Sequence, residues 1–210
     1  MDPRAPRVTL FDYGVGNLHS MQKALEKAGA DVSVTQEGND LLSAEAIVLP
    51  GVGAFGACME RLLPVREALR ERLESGTPCL AVCIGMHLLY EGSEESPDVP
   101  GVGFLKGVVR TFPKTVGKVP HMGWNEVVPQ TSPAADVHAP VPERPVHAYF
   151  VHSYYVPPDA STRATTDYGL AFASMGAKGR TVATQFHPEK SSTVGLGIIR
   201  RWVGTLGGAA

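Results

Sequence analysis

With 210 residues, 43% hydrophobic and 19% charged, the chain has the makings of one substantial globular domain or at most two small ones, which excludes disorder as its general state. Nineteen basic residues against 21 acidic ones leave a net charge of −2, which argues against a broad nucleic-acid-binding face. Three cysteines, Cys58, Cys79 and Cys83, show no CxxC spacing, so neither a disulfide framework nor a metal site is expected. No run reaches the roughly 18 apolar residues that a membrane span needs, and the opening MDPRAPRVTLFDYG lacks the apolar stretch of a signal peptide. A soluble, cytoplasmic protein with reduced thiols and no membrane contact is expected.

Residues 7–13 (RVTLFDY) are predicted as a first strand ending at Gly14-Val15-Gly16. Asn17 is placed to cap the next helix, where Leu18, Met21, Leu25 and Ala28 recur at helical spacing before Gly29 closes it. Val32 and Val34 alternate in a second strand. Residues 46–49 (AIVL) form a continuous apolar run, as in a strand buried on both faces, and stop at Pro50-Gly51-Val52-Gly53. Residues 55–76 are helical with an interruption at Pro64. Residues 78–82 form another apolar strand, and a helix over 84–90 follows it directly. This alternation implies right-handed βαβ units and a parallel sheet.

The second half reads differently. Residues 101–112, 126–128, 146–156, 163–167, 170–174 and 181–186 are predicted as strands with turn residues between them. Residues 129–145 carry five prolines and read as an exposed loop. Residues 193–206 form a closing helix, with a frayed GGAA tail. With no internal repeat and no clean linker, residues 1–210 are expected to form a single α/β domain. Its mostly parallel central sheet has flanking helices and an added antiparallel β region.

Cys83 carries the chemistry. In Ala81-Val82-Cys83-Ile84-Gly85 it sits between a buried strand and a helix, the arrangement of a nucleophile elbow, and small residues at 81 and 85 are what such a turn needs. The helix start behind it favours a thiolate and offers free N–H groups to an oxyanion. Gln185-Phe186-His187-Pro188-Glu189 supplies a base and its orienter, because Pro188 keeps the run extended and Glu189 then aims at the His187 imidazole. Pro50-Gly51-Val52-Gly53 should reach the same sheet edge, with the Val52 N–H free to turn toward a tetrahedral intermediate. Gly14-Val15-Gly16 lacks the third glycine of a dinucleotide site, since residue 19 is His, and that reading is rejected. Cys58 and Cys79 lack an elbow and read as small buried hydrophobes.

Together these pieces resemble the class I, triad-type glutamine amidotransferases, with Cys83, His187 and Glu189 on the family's triad. The blocks DYGVGNLHS (12–20), PGVGAF (50–55), PHMGWN (120–125), YFVHSY (149–154) and QFHPEKS (185–191) are similar to the glutaminase subunits of imidazole glycerol phosphate synthases. The resemblance implies a glutaminase that needs no cofactor and sends its ammonia to a separate (βα)8-barrel cyclase subunit in a heterodimer. There imidazole glycerol phosphate and aminoimidazole carboxamide ribonucleotide are made, for histidine and purine synthesis. It also implies an oxyanion hole from the N–H groups of Val52 and Ile84. Glutamine contacts carry over to Gly51, Tyr149, Ser153 and Tyr154, and partner contacts are expected at Asn17, His121, Trp124 and Asn125. The free subunit is expected to be nearly inactive until its partner turns the Val52 N–H into the site.

Two positions depart from the family pattern: Ala81 stands where glycine is usual, and His87 stands where a substrate-holding glutamine is usual. Protonation of His87 below about pH 6.5 is therefore expected to alter glutamine binding. The competing readings are a stand-alone cysteine hydrolase on the same scaffold, a γ-glutamyl hydrolase or peptidase, and a catalytically silent regulatory subunit.

Overall fold

Apolar runs too short for helices build the centre of a nine-stranded sheet in the computed structural model, which describes residues 5–130 and 139–207. The first half comprises β1 (Arg7–Phe11), α1 (His19–Lys27), β2 (Asp31–Thr35), α2 (Gly38–Ser43), β3 (Ile47–Leu49), α3 (Phe55–Leu62), α4 (Arg66–Glu74), β4 (Cys79–Val82) and α5 (Ile84–Leu88). The second comprises β5 (Gly92–Ser93), β6 (Val108–Thr111), β7 (His121–Pro129), β8 (Val146–His152), β9 (Tyr154–Tyr155), β10 (Thr162–Asp167), β11 (Ala171–Lys178), β12 (Thr181–Thr184) and α6 (Ser192–Gly204). The sheet runs β2-β1-β3-β4-β12-β11-β10-β7-β8. From β2 to β12 neighbours are parallel, and from β12 to β8 they are antiparallel. A smaller sheet, β5-β6-β9, lies apart. This is the α/β architecture that the sequence leads one to expect.

Alternation divides the core between the two faces of the sheet. Ile47, Leu49, Cys79 and Ala81 face one side, with Phe55, Met59 and Leu69 of the helices α3 and α4. Val48, Leu80 and Val82 face the other, with Met21 and Leu25 of α1 and Trp202 of α6. Each fully buried side chain of this kind contributes about 1.5–3 kcal/mol. Because β3, β4 and β12 are wholly buried and parallel, their carboxyl ends share one edge.

The N-cap of α1 is Leu18 and not Asn17 as expected; Asn17 lies one residue earlier, where its Oδ1 accepts the His19 N–H at 2.8 Å. Gly29, at φ 98°, closes the helix, and the N–H groups of Gly29 and Ala30 return to the Glu26 and Leu25 carbonyls. Several boundaries move. Of residues 101–112 only Val108–Thr111 is strand; the rest is a loop whose N–H groups bond back to Leu88, Leu89 and Tyr90. The strand over 126–128 starts at His121, and the one over 170–174 extends to Lys178. The run 146–156 breaks at Ser153 into β8 and β9. The helix α2 was not expected. Much of the proline-rich loop over 129–145, residues 131–138, lies outside the described residues, as do residues 208–210 of the GGAA tail. Among the described residues no helix is long and apolar enough to cross a membrane.

Candidate active site

Cys83 follows β4 with φ 50° and ψ −107°, a conformation that L side chains rarely adopt, and α5 starts at the next residue. Such strain costs on the order of 1–3 kcal/mol and persists because the surroundings fix it. The Cys83 N–H donates to the Thr184 carbonyl at 2.7 Å, and its own carbonyl accepts the His87 N–H at 3.2 Å. Gly85 lets α5 lie against β3, since a Cβ there would sit 2.2 Å from the Leu49 carbonyl oxygen. Gly85→Ala is therefore expected to lower stability by about 1–3 kcal/mol, because that neighbour is backbone and cannot rotate away. A chemical-denaturation midpoint equal to the wild-type value would contradict this packing. Ala81 fits between β3 and β12, paired with Leu49 and Ala183, so its extra methyl leaves the elbow formed.

His187 and Glu189 reach this elbow from the end of β12. His187 Nδ1 lies 2.7 Å from Glu189 Oε1, and their side chains are only 3% and 7% exposed. Burial alone would lower the His187 pKa, but hydrogen bonds and charge from Cys83 and Glu189 outweigh it and raise it to about 9. Ser191, buried and not singled out from the sequence, braces the pair: its hydroxyl donates to the His187 carbonyl at 2.7 Å and accepts the Tyr149 N–H at 2.9 Å. The His187 N–H donates to the Tyr149 carbonyl at 2.9 Å. Tyr149 thus supports the histidine through its backbone.

The segment after β3 closes over the same point. A Cβ on Gly51 would lie 2.7 Å from His187 Cε1 and 3.0 Å from Cys83 Cβ, so only glycine fits there. Val52 is held by two contacts that the sequence does not reveal. The Cys58 thiol donates to its carbonyl at 3.2 Å, and Gly16 of the Gly14-Val15-Gly16 loop packs flush against its side chain. Burial pushes the Cys58 thiol up to about 12, which leaves it a donor with no nucleophilic character.

Cys83, Ile84 and His87 line a cavity of about 270 Å³ together with Ser153, Tyr154 and Glu95. Glu95 was not anticipated; burial raises its carboxyl pKa, while the Phe55 N–H bonds to it and opposes that rise. His87 is 3% exposed, with Nε2 2.7 Å from Gln185 Oε1, and Gln185 Nε2 lies 3.8 Å from Cys83 Sγ. Burial lowers the His87 pKa to about 4, so the sequence expectation of titration near 6.5 is corrected. Glutamine binding should not respond to His87 protonation between pH 5.5 and 8, on the order of one unit or more above that value. The stability linkage is separate. A depressed histidine stabilises fully above its unfolded value, and the fold loses about 3 kcal/mol from His87 as pH falls from 6.5 toward 4. Denaturation of His87→Gln across this window should show a shallower acid decline than the wild type, and parallel curves would refute the assignment.

The expected partner residues separate. Asn17 and Trp124 are exposed, Trp124 by 55%, and Asn125 is half-buried. His121 is corrected: only 3% exposed, its ring lies between those of Phe150 and Tyr168 and presents no surface.

A strained cysteine on an elbow, with a carboxylate-oriented histidine at the end of the adjacent parallel strand, is the arrangement of a nucleophile with a base and its orienter. The family model for Glutamine amidotransferase class-I matches residues 9–203. Imidazole glycerol phosphate synthase subunit HisH of Methanosarcina mazei is 43% identical over 94% of this chain and 98% of its own. The protein of the same name from Acinetobacter baylyi is 46% identical over 94% of this chain and 97% of its own. A solved glutamine amidotransferase superposes with a TM-score of 0.73 at 16% identity, covering 96% of this chain and 99% of that one, and shows the shared fold. The chain belongs to the class I glutamine amidotransferases and, within them, to the family of imidazole glycerol phosphate synthase subunit HisH.

Proposed function

We propose that the chain is one glutamine amidotransferase domain that hydrolyses glutamine and passes the ammonia to a separate (βα)8-barrel cyclase subunit. The cyclase would make imidazole glycerol phosphate and aminoimidazole carboxamide ribonucleotide in histidine biosynthesis, in the cytoplasm. The observation that carries the reading is the convergence of Gly51, Cys83 and His187 at one edge of three adjacent parallel strands. Glu189 accepts the Nδ1–H of His187, which leaves Nε2 to take the Cys83 thiol proton. The thiolate attacks the side-chain amide carbon of glutamine, and the N–H groups of Val52 and Ile84 receive the oxyanion. As the tetrahedral intermediate collapses, His187 protonates its amino nitrogen, the C–N bond breaks and ammonia leaves. A pKa near 9 keeps that proton on the imidazole at neutral pH. His187 then deprotonates a water that opens the thioester, which releases glutamate and restores the thiol.

Glutamine is held in the cavity by Ser153 and Tyr154, with Gly51 and Tyr149 beside it. The Glu95 carboxylate in the wall suits an α-ammonium group, and the His87 ring closes the far side. The exposed face around Asn17, Met122 and Trp124 receives the cyclase.

The test is glutamate release by the chain alone, with cyclase, and with cyclase plus its ribonucleotide ligand. If the partner completes the oxyanion hole through the Val52 N–H, activation of roughly 10²–10³ is expected. Equal rates in all three arms favour a stand-alone hydrolase, and no glutamate in any arm favours a silent subunit.

A further inference from the structure

Two buried histidines outside the triad form a hydrogen-bonded chain whose proton positions are dictated from both ends. Asn125 Oδ1 accepts the Glu126 N–H at 2.8 Å, so its NH2 group faces the other way, 3.0 Å from the Asp167 carbonyl and 3.2 Å from His121 Nε2. His121 Nε2 is then an acceptor, and the proton of the neutral ring sits on Nδ1, 2.9 Å from His152 Nε2. His152 accepts on Nε2 and donates from Nδ1 to the Tyr154 carbonyl at 2.7 Å. That carbonyl has no proton to give, so the inner end demands the tautomer that the outer end imposes. Adding a proton to either ring would set donors face to face. The rings are 3% and 6% exposed, and burial disfavours their charged forms.

The place of this chain in the fold gives it a task. His152 is the last residue of β8 and Tyr154 the first of β9, so the bond from His152 spans the break at Ser153. Val151, His152, Ser153 and Tyr154 all line the cavity that holds Cys83, whose Sγ lies 3.8 Å from the Val151 carbonyl. At the other end Asn125 is tied to backbone on two sides, so the chain has a fixed anchor.

We propose that His121 and His152 are positioning residues, a neutral one-way relay that holds the Tyr154 carbonyl and the Ser153 turn at a set distance from Cys83. The inference rests on the reading of this cavity as the glutamine site, and it names what keeps that wall in place. The His152 ring lines the cavity, but all four ring nitrogens of the two histidines are committed within the chain, which leaves none free to act on reacting atoms.

Two measurements test it. In the full chain labelled with 15N-histidine, long-range 15N–1H correlation spectra at pH 7.5 should show both rings as the Nδ1–H tautomer. An Nε2–H tautomer or an imidazolium at either residue overturns the relay, and this readout is independent of whether glutamine is a substrate. In the complex with a cyclase subunit, His152→Ala should raise KM for glutamine by about 5–10-fold, in line with one lost hydrogen bond, with kcat within about threefold. His152→Asn, whose amide can still donate to the Tyr154 carbonyl, should recover most of that KM. Correct tautomers with an unchanged KM in His152→Ala, or no recovery in a folded His152→Asn, would overturn the positioning role. Complete absence of glutaminase activity in the wild-type complex would instead count against the functional reading.

Discussion

Cys83→Ala is expected to abolish glutamine hydrolysis while leaving the fold and partner binding intact. Without the nucleophile only binding and electrostatic effects remain, so a loss of many orders of magnitude follows. Alanine keeps the Cβ and therefore the φ 50° turn, so the melting temperature should stay close to that of the wild type. Ammonia-dependent synthesis by the complex should survive, because the cyclase half does not use the thiol. A variant with a tenth of the wild-type glutaminase rate would remove Cys83 from the mechanism.

Glu189→Gln carries the second large effect. The carboxylate lies 2.7 Å from Nδ1 in a nearly dry setting, orients the ring and helps raise its pKa to about 9 against the pull of burial. With the charge gone, the His187 pKa falls and the imidazolium that protonates the leaving amino nitrogen becomes scarce at neutral pH. General acid–base catalysis is worth roughly 10²–10⁴, and kcat should fall within that range. Stability changes in a matching direction. A raised histidine stabilises fully below its unfolded value of 6.5, and that contribution disappears as pH rises through about 9. The wild type should lose denaturation free energy between these limits, and the glutamine variant should lose less. Superimposable pH profiles of kcat and of stability would show that the pair does not act together.

The juxtaposition of Cys83, His187 and Glu189 was legible in the sequence because each of these residues leaves a local mark. A four-residue apolar strand followed by Cys83 and Gly85 marks an elbow. Pro188 does hold His187 extended, but Pro188–Lys190 forms a 3-10 turn in place of the extended run expected, and that turn brings Glu189 to His187 Nδ1. The same physics made β3 and β4 easy to read, as strands buried on both faces need continuous apolar runs. The strand β7 hid its first half because its pattern is inverted: His121 and Asn125 face inward, while Met122 and Trp124 are 61% and 55% exposed. Polar inward positions are tolerable only when their partners satisfy them, and those partners come from β8 and Asp167, far away in sequence.

The loop over 101–107 misled for the opposite reason. Val102, Phe104 and Leu105 are buried and apolar like strand residues, yet Gly103 at φ 72° turns the chain between them and Gly107 at φ 101° turns it again just after. The helix α2, six residues with a single buried leucine, is too short to show a period. Cys58 could not be found from sequence, since its role depends on the Val52 carbonyl reaching the first turns of α3. The titration of His87 was misjudged because its burial beneath Gln185 is a tertiary fact. What spacing along the chain encodes was readable, and what depends on distant neighbours was not.

The proposed mechanism requires that Cys83 become covalently γ-glutamylated during glutamine hydrolysis. The direct measurement is acid quenching of the complex with cyclase and ribonucleotide ligand during turnover of 13C-glutamine, followed by peptide mass spectrometry. A labelled γ-glutamyl thioester on the peptide containing Cys83 and absent from Cys83→Ala is the expected result. Turnover without that adduct on rapid quenching, or the adduct on Cys58 or Cys79, would contradict it.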